Sequence, residues 1–413
     1  MGSPMEAGGA AGHEGGGWRA SLAGSLRANA RQYAMVVALA TIWIVFSALT
    51  GGVFLSARNV SNLAVQTVTT GILAVGVVLV IVAGHIDLSV GSVLGFTGAV
   101  CATLMISRGW GVVPAIGATL VVGVAIGAWH GFWVAYRRVP AFIVTLASML
   151  AFRGLIIGIT GGQTQGLEMA PERVAARFQV IGQGYLPTLR PAAEGRLHDT
   201  SLYVTLLVLA WIMVARLRAW SARRRDGLPV PPAWAETLRT GAIVAVIGAL
   251  GAVMVFYQGI PWAVFLLLGL AVVFTFVAND TTFGRRLYAI VGNPEAARLS
   301  GIHVPRNTLA LFGLMGLMSA VAGIVCTSRL NAATTSAGQN AELDAIAAAV
   351  IGGASLMGGE GTVVGALIGA LVMASLDNGM SLMNMDITWQ YVIKGLILLL
   401  AVWVDVAQRQ AAR

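Results

Sequence analysis

The chain has 413 residues, of which 57% are hydrophobic and only 10% are charged. Soluble domains carry about a quarter of charged residues, so this composition excludes a soluble globular protein and indicates one that crosses a membrane many times. The net charge of +9 could suggest a nucleic-acid partner. The arginines, however, cluster in short segments beside apolar runs, as in the cytoplasmic loops of membrane proteins, and we expect no nucleic-acid binding.

The first segment, residues 1–32, is rich in Gly, Ala and Ser and carries Arg19, Arg27 and Arg31. Such a composition cannot bury enough apolar surface to fold. We expect a disordered cytoplasmic tail there, followed by a transmembrane domain over residues 33–406 and a second cytoplasmic tail over residues 407–413.

The transmembrane domain is predicted to be all-α and polytopic. Crossing about 30 Å of hydrocarbon takes about 20 apolar residues in a helix. The sequence offers twelve such segments, the shorter ones approximate in length: 33–50, 63–83, 91–106, 112–136, 141–160, 202–217, 241–257, 262–277, 309–327, 344–357, 362–376 and 389–404.

The orientation of these spans follows from the positions of the arginines, which favour the cytoplasmic side. With the N-terminus inside, twelve spans place in the cytoplasm the connection 137–138, a basic connection at 217–240, the segment 279–306 and the C-terminal arginines. Both termini are then cytoplasmic. Residues 161–201 lie outside the membrane on the opposite side and are long enough to have structure of their own.

A polar turn interrupts the second and third spans at residues 83–92. Asp87, Ser89, Gly91 and Ser92 stand there between two apolar runs. Irregular backbone at membrane depth survives only where it is buried in protein or lines water, which would make this a broken helix beside a translocation path. The alternative is a cytoplasmic turn in which Asp87 or Ser89 caps the next helix.

Small residues predict where helices touch. Glycines at 123, 127 and 131, and again at 361, 365 and 369, recur every four residues and favour close packing of a second helix. Residues 90–95 also resemble residues 360–365, which leaves open an internal repeat of two halves.

Three ionisable residues in or near the spans have more than one interpretation. His130 lies on a glycine-rich helix face and is expected to be a hydrogen-bonded packing residue more than a proton carrier. Asp344 can cap the helix that follows it. Lys394 either pairs with an acid such as Asp377 or extends towards the interface.

The segment 279–306 is polar and basic, yet it contains helix signals of its own. Asn293 suits an N-cap, Pro294 the first helical position and Glu295 the first turn, while Gly301 supplies a stop. The predicted helix, 294–300, has about two turns. It is too short to be stable alone and needs a surface to lie against.

The sequence also lacks the motifs of an energy-converting enzyme. Lys394 is the only lysine and is followed by Gly395, so no phosphate-binding loop that ends in Gly-Lys-Ser/Thr exists. We therefore expect no catalysis and no cofactor in this chain. An autonomous ion- or proton-coupled carrier remains the alternative, although acids and histidines near the span centres are few.

Residues 84–92 and 283–302 resemble the permease subunits of bacterial sugar ABC importers, the ribose, xylose, arabinose and galactose group. Residues 55–63, 139–146, 341–348 and 373–380 resemble the D-xylose members in particular, and the similarity extends from about residue 33 to residue 406. Shorter members of this family have about ten spans and lack the pair 202–217 and 241–257. His85 occupies a position that varies in the family and receives no role.

The resemblance implies a bacterial inner-membrane permease that imports a monosaccharide and works with three protein partners. These are a second permease copy, a periplasmic sugar-binding protein and a cytoplasmic ATPase. The resemblance places the ATPase on the short helix and its flanks. The expected ATPase-coupling residues are Gly284, Arg285, Arg286, Gly292, Asn293, Pro294, Glu295, Ala296, Ala297, Arg298, Ser300 and Gly301. A role of Asp87, Ser89, Gly91 and Ser92 in the translocation path is the sharper hypothesis for the polar turn.

Overall fold

The computed structural model describes residues 30–189, 197–227, 233–292 and 294–412. Helices dominate these residues, and two short strands pair with each other. The first helices are α1 (Ala30–Leu49), α2 (Ala57–Val82), α3 (Val90–Ile106), α4 (Val112–Ala135), α5 (Ala141–Thr160), α6 (Glu172–Gln183), α7 (Asp199–Arg225) and α8 (Ala233–Phe256). The remaining helices are α9 (Trp262–Asp280), α10 (Thr282–Gly292), α11 (Pro294–Leu299), α12 (Val304–Leu330), α13 (Ala341–Ile351), α14 (Val363–Leu382) and α15 (Ile387–Ala412). The strands are β1 (Gln165–Gly166) and β2 (Ala332–Ala333), and they pair antiparallel.

Eight of the described helices are long and apolar enough to cross a membrane, and three further apolar helical segments are shorter. The prediction of an all-helical, polytopic membrane protein is therefore confirmed. Each of the twelve predicted segments coincides with a helix. The segment 344–357, however, was wrong in its bounds, because α13 ends at Ile351 and is followed by a loop that contains Gly352 and Gly353. With 11 residues, α13 is about 16 Å long and cannot span the hydrocarbon by itself.

The core of the bundle is built around α2. This helix is apolar throughout its second half, residues 71–82, and buried along most of its length, as expected for a helix that is surrounded by other helices. It packs against α12, α13, α14 and α9. Ser56 begins α2 by accepting a hydrogen bond from the backbone N–H of Asn59.

The two ends of the bundle differ in character. The basic end carries α10 and α11 with Arg285, Arg286 and Arg298, while the sheet end carries β1 and β2. At the sheet end, α6 lies on the end of α12, where the hydroxyl of Ser328 accepts from Gly182 N (2.8 Å) and donates to Phe178 O (2.6 Å). The predicted segment 161–201 thus contains its own helix, with residues 190–196 outside the described part.

Two more of the predicted segments extend differently from expectation. Helix α7 continues to Arg225, eight residues beyond the predicted span, so that part of the basic connection 217–240 is helical. Helix α1 begins at Ala30, and the rest of the predicted tail 1–32 lies outside the described residues.

The first glycine ladder packs as predicted, and so do Gly365 and Gly369 of the second, whereas Gly361 lies in the loop before α14. A Cβ added at Gly127 would lie 2.0 Å from Phe312 O in α12, and one at Gly369 would lie 1.9 Å from Ala348 O in α13. Backbones in this chain therefore approach so closely that only glycine fits.

We expect Gly127→Ala to destabilise the protein by about 1–3 kcal/mol, because the added methyl group must push α4 away from α12. Gly117→Ala is the matched control, since nothing lies within 4 Å of a Cβ at this position of the same helix. Thermal unfolding of both variants in detergent measures the difference. Equal stability of the two variants would contradict the packing described for Gly127.

Candidate functional sites

The helices α10 and α11 form the polar segment at the basic end. Thr281 caps α10, because its hydroxyl accepts from Gly284 N at 3.1 Å. Gly284 lies directly against the carbonyl groups of Val277 and Ala278, where a Cβ would not fit. The turn from α9 into α10 is therefore tight, and it leaves the side chains of Arg285 and Arg286 exposed.

Helix α11 begins where the sequence predicts and ends one residue earlier. It covers Pro294–Leu299. It stops where Gly301 adopts a φ of 82° and Ile302 N donates to Ala297 O at 3.0 Å, a C-terminal geometry that favours glycine. The expected N-cap, Asn293, lies outside the described residues.

The outward surface of α11 carries an apolar residue that sequence reasoning missed. Ala297 is buried against the protein, whereas Glu295, Ala296 and Arg298 are exposed. Leu299 is 85% exposed. Single exposed apolar residues are common on protein surfaces, but this one lies on a short helix that needs a surface to lie against. A large apolar residue directly after Arg298 in this predicted short helix was the signal available in the sequence.

Helix α10 contacts two non-helical segments, the turn before α3 and the loop before α14. Tyr288 donates from its hydroxyl to Gly361 O at 2.8 Å, and burial raises the pKa of this phenol, so that the donor keeps its proton at neutral pH. Val291 packs against Gly84 and Gly358. A movement of α10 is therefore passed directly to the turn before α3 and to the loop before α14.

The polar turn before α3 is organised by Asp87. This buried carboxylate accepts from Ser89 N at 2.8 Å and from the Ser89 hydroxyl at 2.6 Å. Ser89 is the N-cap residue of α3 but makes no capping bond with its side chain. Ser92 donates to Ser89 O at 2.8 Å. The acid thus shapes the turn, and the first turn of α3 begins next to it.

The glycine at 91 brings α3 against another non-helical stretch. A Cβ at Gly91 would lie 2.3 Å from Gly338 O and 2.2 Å from Oε2 of Glu342. Glu342 is buried at the start of α13, and this oxygen has no hydrogen-bond partner among the described residues. The starts of α3 and α13 therefore meet inside the protein.

Arg153 is a second residue that the sequence analysis did not single out. It lies in the middle of α5 and donates to Ala337 O at 2.9 Å and to Gly338 O at 3.2 Å. A charged side chain at this position in an apolar span is costly unless it is paired or functional. An arginine in the centre of the apolar run 141–160 is unusual, and this position could have identified it from the sequence.

His130 is almost fully buried, and its Nε2 has no partner in the part of the chain that the structure describes. Its ring lies 6.3 Å from that of Phe152. The ring of His130 packs against α5, as the packing part of the expectation has it, whereas no hydrogen-bond partner for Nε2 lies within the described residues.

Lys394 pairs with two acids at once. Its Nζ lies 3.0 Å from Asp344 Oδ2 and 2.9 Å from Asp377 Oδ1, and the lysine side chain is 18% exposed. Of the two interpretations left open by the sequence, pairing is confirmed. Asp344 is the partner that the sequence did not reveal. The three residues join α13, α14 and α15 beside a cavity of about 140 Å³.

Comparison with known proteins gives a consistent result. A family model described as branched-chain amino acid transport system / permease component matches residues 59–402. The xylose transport system permease protein of Escherichia coli K12 is 50% identical over 92% of this chain and 93% of its own length. The protein of that name in Haemophilus influenzae is 45% identical, over 92% and 98%. The ribose import permease protein of Escherichia coli K12 is 34% identical, over 90% and 92%. No solved structure matches this chain.

Proposed function

We propose a function for this chain from one premise: it belongs to the branched-chain amino acid transport system / permease component family. It is therefore a non-catalytic, membrane-spanning permease subunit of an ABC importer, and membership in this class implies an ATPase and a binding protein as partners. The expectation from the sequence that the chain is not an enzyme agrees with this assignment.

The substrate that we propose is D-xylose. Both relatives named for xylose are more similar to this chain than the ribose permease is, and the matches run over nearly the full length of the proteins. We expect D-xylose with its binding protein to stimulate ATP hydrolysis by the assembled complex, and D-ribose at the same concentration to stimulate it less. The reverse order of stimulation would overturn the assignment of the sugar.

We further propose that α10 and α11 bind the cytoplasmic ATPase. The support is geometric: α11 exposes Leu299 beside the exposed Arg298, and the segment touches the turn before α3 and the loop before α14. We assign to this contact Leu299 and the exposed members of the twelve residues expected from the sequence; Gly284 and Ala297, which are buried against the protein, hold the segment in place. ATP and magnesium are bound by the partner, and this chain needs no cofactor of its own.

The basic end is then the cytoplasmic face, in a bacterial inner membrane, with both termini on that side. The sheet end faces the periplasm and receives the sugar-binding protein, and two permease copies form one transporter. We also propose the predicted division of the chain into a cytoplasmic tail, a transmembrane domain over residues 33–406 and a second cytoplasmic tail. Twelve crossings follow if residues 331–340 and α13 together make one crossing.

The turn at Asp87 is proposed to lie beside the sugar path and to respond to the ATPase through Val291 and Gly84. We expect Asp87→Asn to reduce sugar uptake about tenfold while the protein still assembles, because the neutral amide accepts more weakly from the two donors of Ser89 than a carboxylate does. Uptake in proteoliposomes measures this effect, with Asp386→Asn in an exposed loop as the control. Normal uptake and normal coupling of the Asp87→Asn protein would contradict the role of this turn.

A further inference from the structure

The segment between β2 and α13, residues 334–340, is non-helical and lies deep in the membrane domain. Thr103 near the end of α3 reaches Gln165 of β1 at the sheet end, with 3.1 Å between their side-chain oxygens. Gly91 lies twelve residues earlier in α3, about 18 Å away along the helix axis. Gly338 lies directly against Gly91. The segment therefore descends from the sheet end to about the middle of the bilayer.

One side of this segment is fixed to the protein. Arg153 binds the carbonyl oxygens of Ala337 and Gly338. Ala337 O also lies against Gly95 of α3, 2.5 Å from where a Cβ would be. These contacts satisfy backbone groups that would otherwise be costly at this depth.

The other side of the segment is polar and exposed. The side chains of Ser336 and Gln339 are exposed, and neither makes a hydrogen bond to another residue of the described ranges. Irregular backbone at membrane depth does not face lipid, and it survives only where it is buried in protein or lines water. A hydroxyl and a primary amide that are exposed on such a segment favour the water-lined surface.

We propose that residues 334–340 line the path of the transported monosaccharide, with Ser336 and Gln339 as groups that contact its hydroxyls. A sugar hydroxyl both donates and accepts hydrogen bonds, and the amide of Gln339 and the hydroxyl of Ser336 can each do the same in return. Neutral groups suit an uncharged ligand that must also leave. This inference rests on the proposed sugar transport. It places contacts with the sugar at residues outside the polar turn at Asp87.

The first test is the reactivity of cysteines at these positions. Ser336→Cys and Gln339→Cys are labelled with a charged, water-soluble methanethiosulfonate reagent in the assembled transporter, with and without ATP. We expect labelling of both above that of the wild-type chain, whose own thiols are buried at Cys101 and half-buried at Cys326. Leu150→Cys, at an exposed apolar position of α5, is the control, and we expect it to face lipid and to stay unlabelled. Failure of both positions to react in every nucleotide state would overturn the inference.

The second test is functional and separates this inference from the assignment of the sugar. We expect Gln339→Leu to lower D-xylose uptake at least tenfold while the ATPase co-purifies with the permease as in the wild type, and Gln339→Asn to recover part of the uptake. Wild-type uptake by Gln339→Leu would overturn the role of this residue even though the wild-type complex transports D-xylose. A wild-type complex without D-xylose uptake would instead overturn the proposed function, and with it the ligand named here.

Discussion

Leu299→Asp is expected to abolish the assembly of this permease with its ATPase while the chain still inserts into the membrane. Burying a leucine side chain at an interface contributes about 1.5–3 kcal/mol, and an unpaired carboxylate in its place adds a further desolvation cost. Together these effects weaken the contact by about 4 kcal/mol, or about a thousandfold in affinity. Co-purification of the ATPase with the tagged permease measures the loss, and D-xylose uptake should fall with it.

The matched control is Leu189→Asp. Leu189 is 71% exposed, close to the exposure of Leu299, but it lies towards the sheet end of the protein. The ATPase should co-purify with this variant as with the wild type. Retention of the ATPase by Leu299→Asp, or equal loss in both variants, would contradict the assignment of α11 as the contact.

Lys394→Met is expected to be the most destabilising single substitution among the ion pairs of the described residues. It removes the one cation between Asp344 and Asp377, so that two acids are left facing each other in a mostly buried place. Breaking a buried pair in this way costs about 3–5 kcal/mol. The helices α13, α14 and α15 lose their common contact, and the melting temperature in detergent should fall by several degrees.

Arg225→Met provides the comparison for Lys394→Met. The ion pair of Arg225 with Asp226 is exposed, at 83% and 55% for the two side chains, and pairs of this kind contribute at most about 1 kcal/mol. Lys394→Arg should keep part of the stability, because the charge remains. Wild-type stability of Lys394→Met would contradict a stabilising role of these ion pairs.

The helices of this protein could largely be predicted from its sequence, because their signals are local. Apolar runs of sufficient length marked α2, α4, α5 and α12, and the residues around Pro294 and Gly301 marked α11 to within one residue. The glycine ladders likewise predicted close packing. The sequence did not say which helix each ladder contacts, since that depends on the arrangement of the whole bundle.

The polar contacts in the membrane core were less predictable, because they join distant parts of the chain. Lys394 and Asp344 are separated by 50 positions, and Arg153 and Ala337 by 184. The depth of residues 334–340 was also hidden, since a polar stretch between two apolar runs reads as a surface loop. Its contacts with Gly91, Gly95 and Arg153 place it inside the protein.

The most direct test of the proposed function is D-xylose uptake by proteoliposomes that contain this chain, with and without its two soluble partners. We predict uptake against a gradient only when the ATPase, ATP and the loaded binding protein are all present, since the chain contains no phosphate-binding loop and belongs to a family of permease subunits. Uptake against a gradient by this chain alone, driven by a proton gradient, would contradict the account and establish an autonomous carrier.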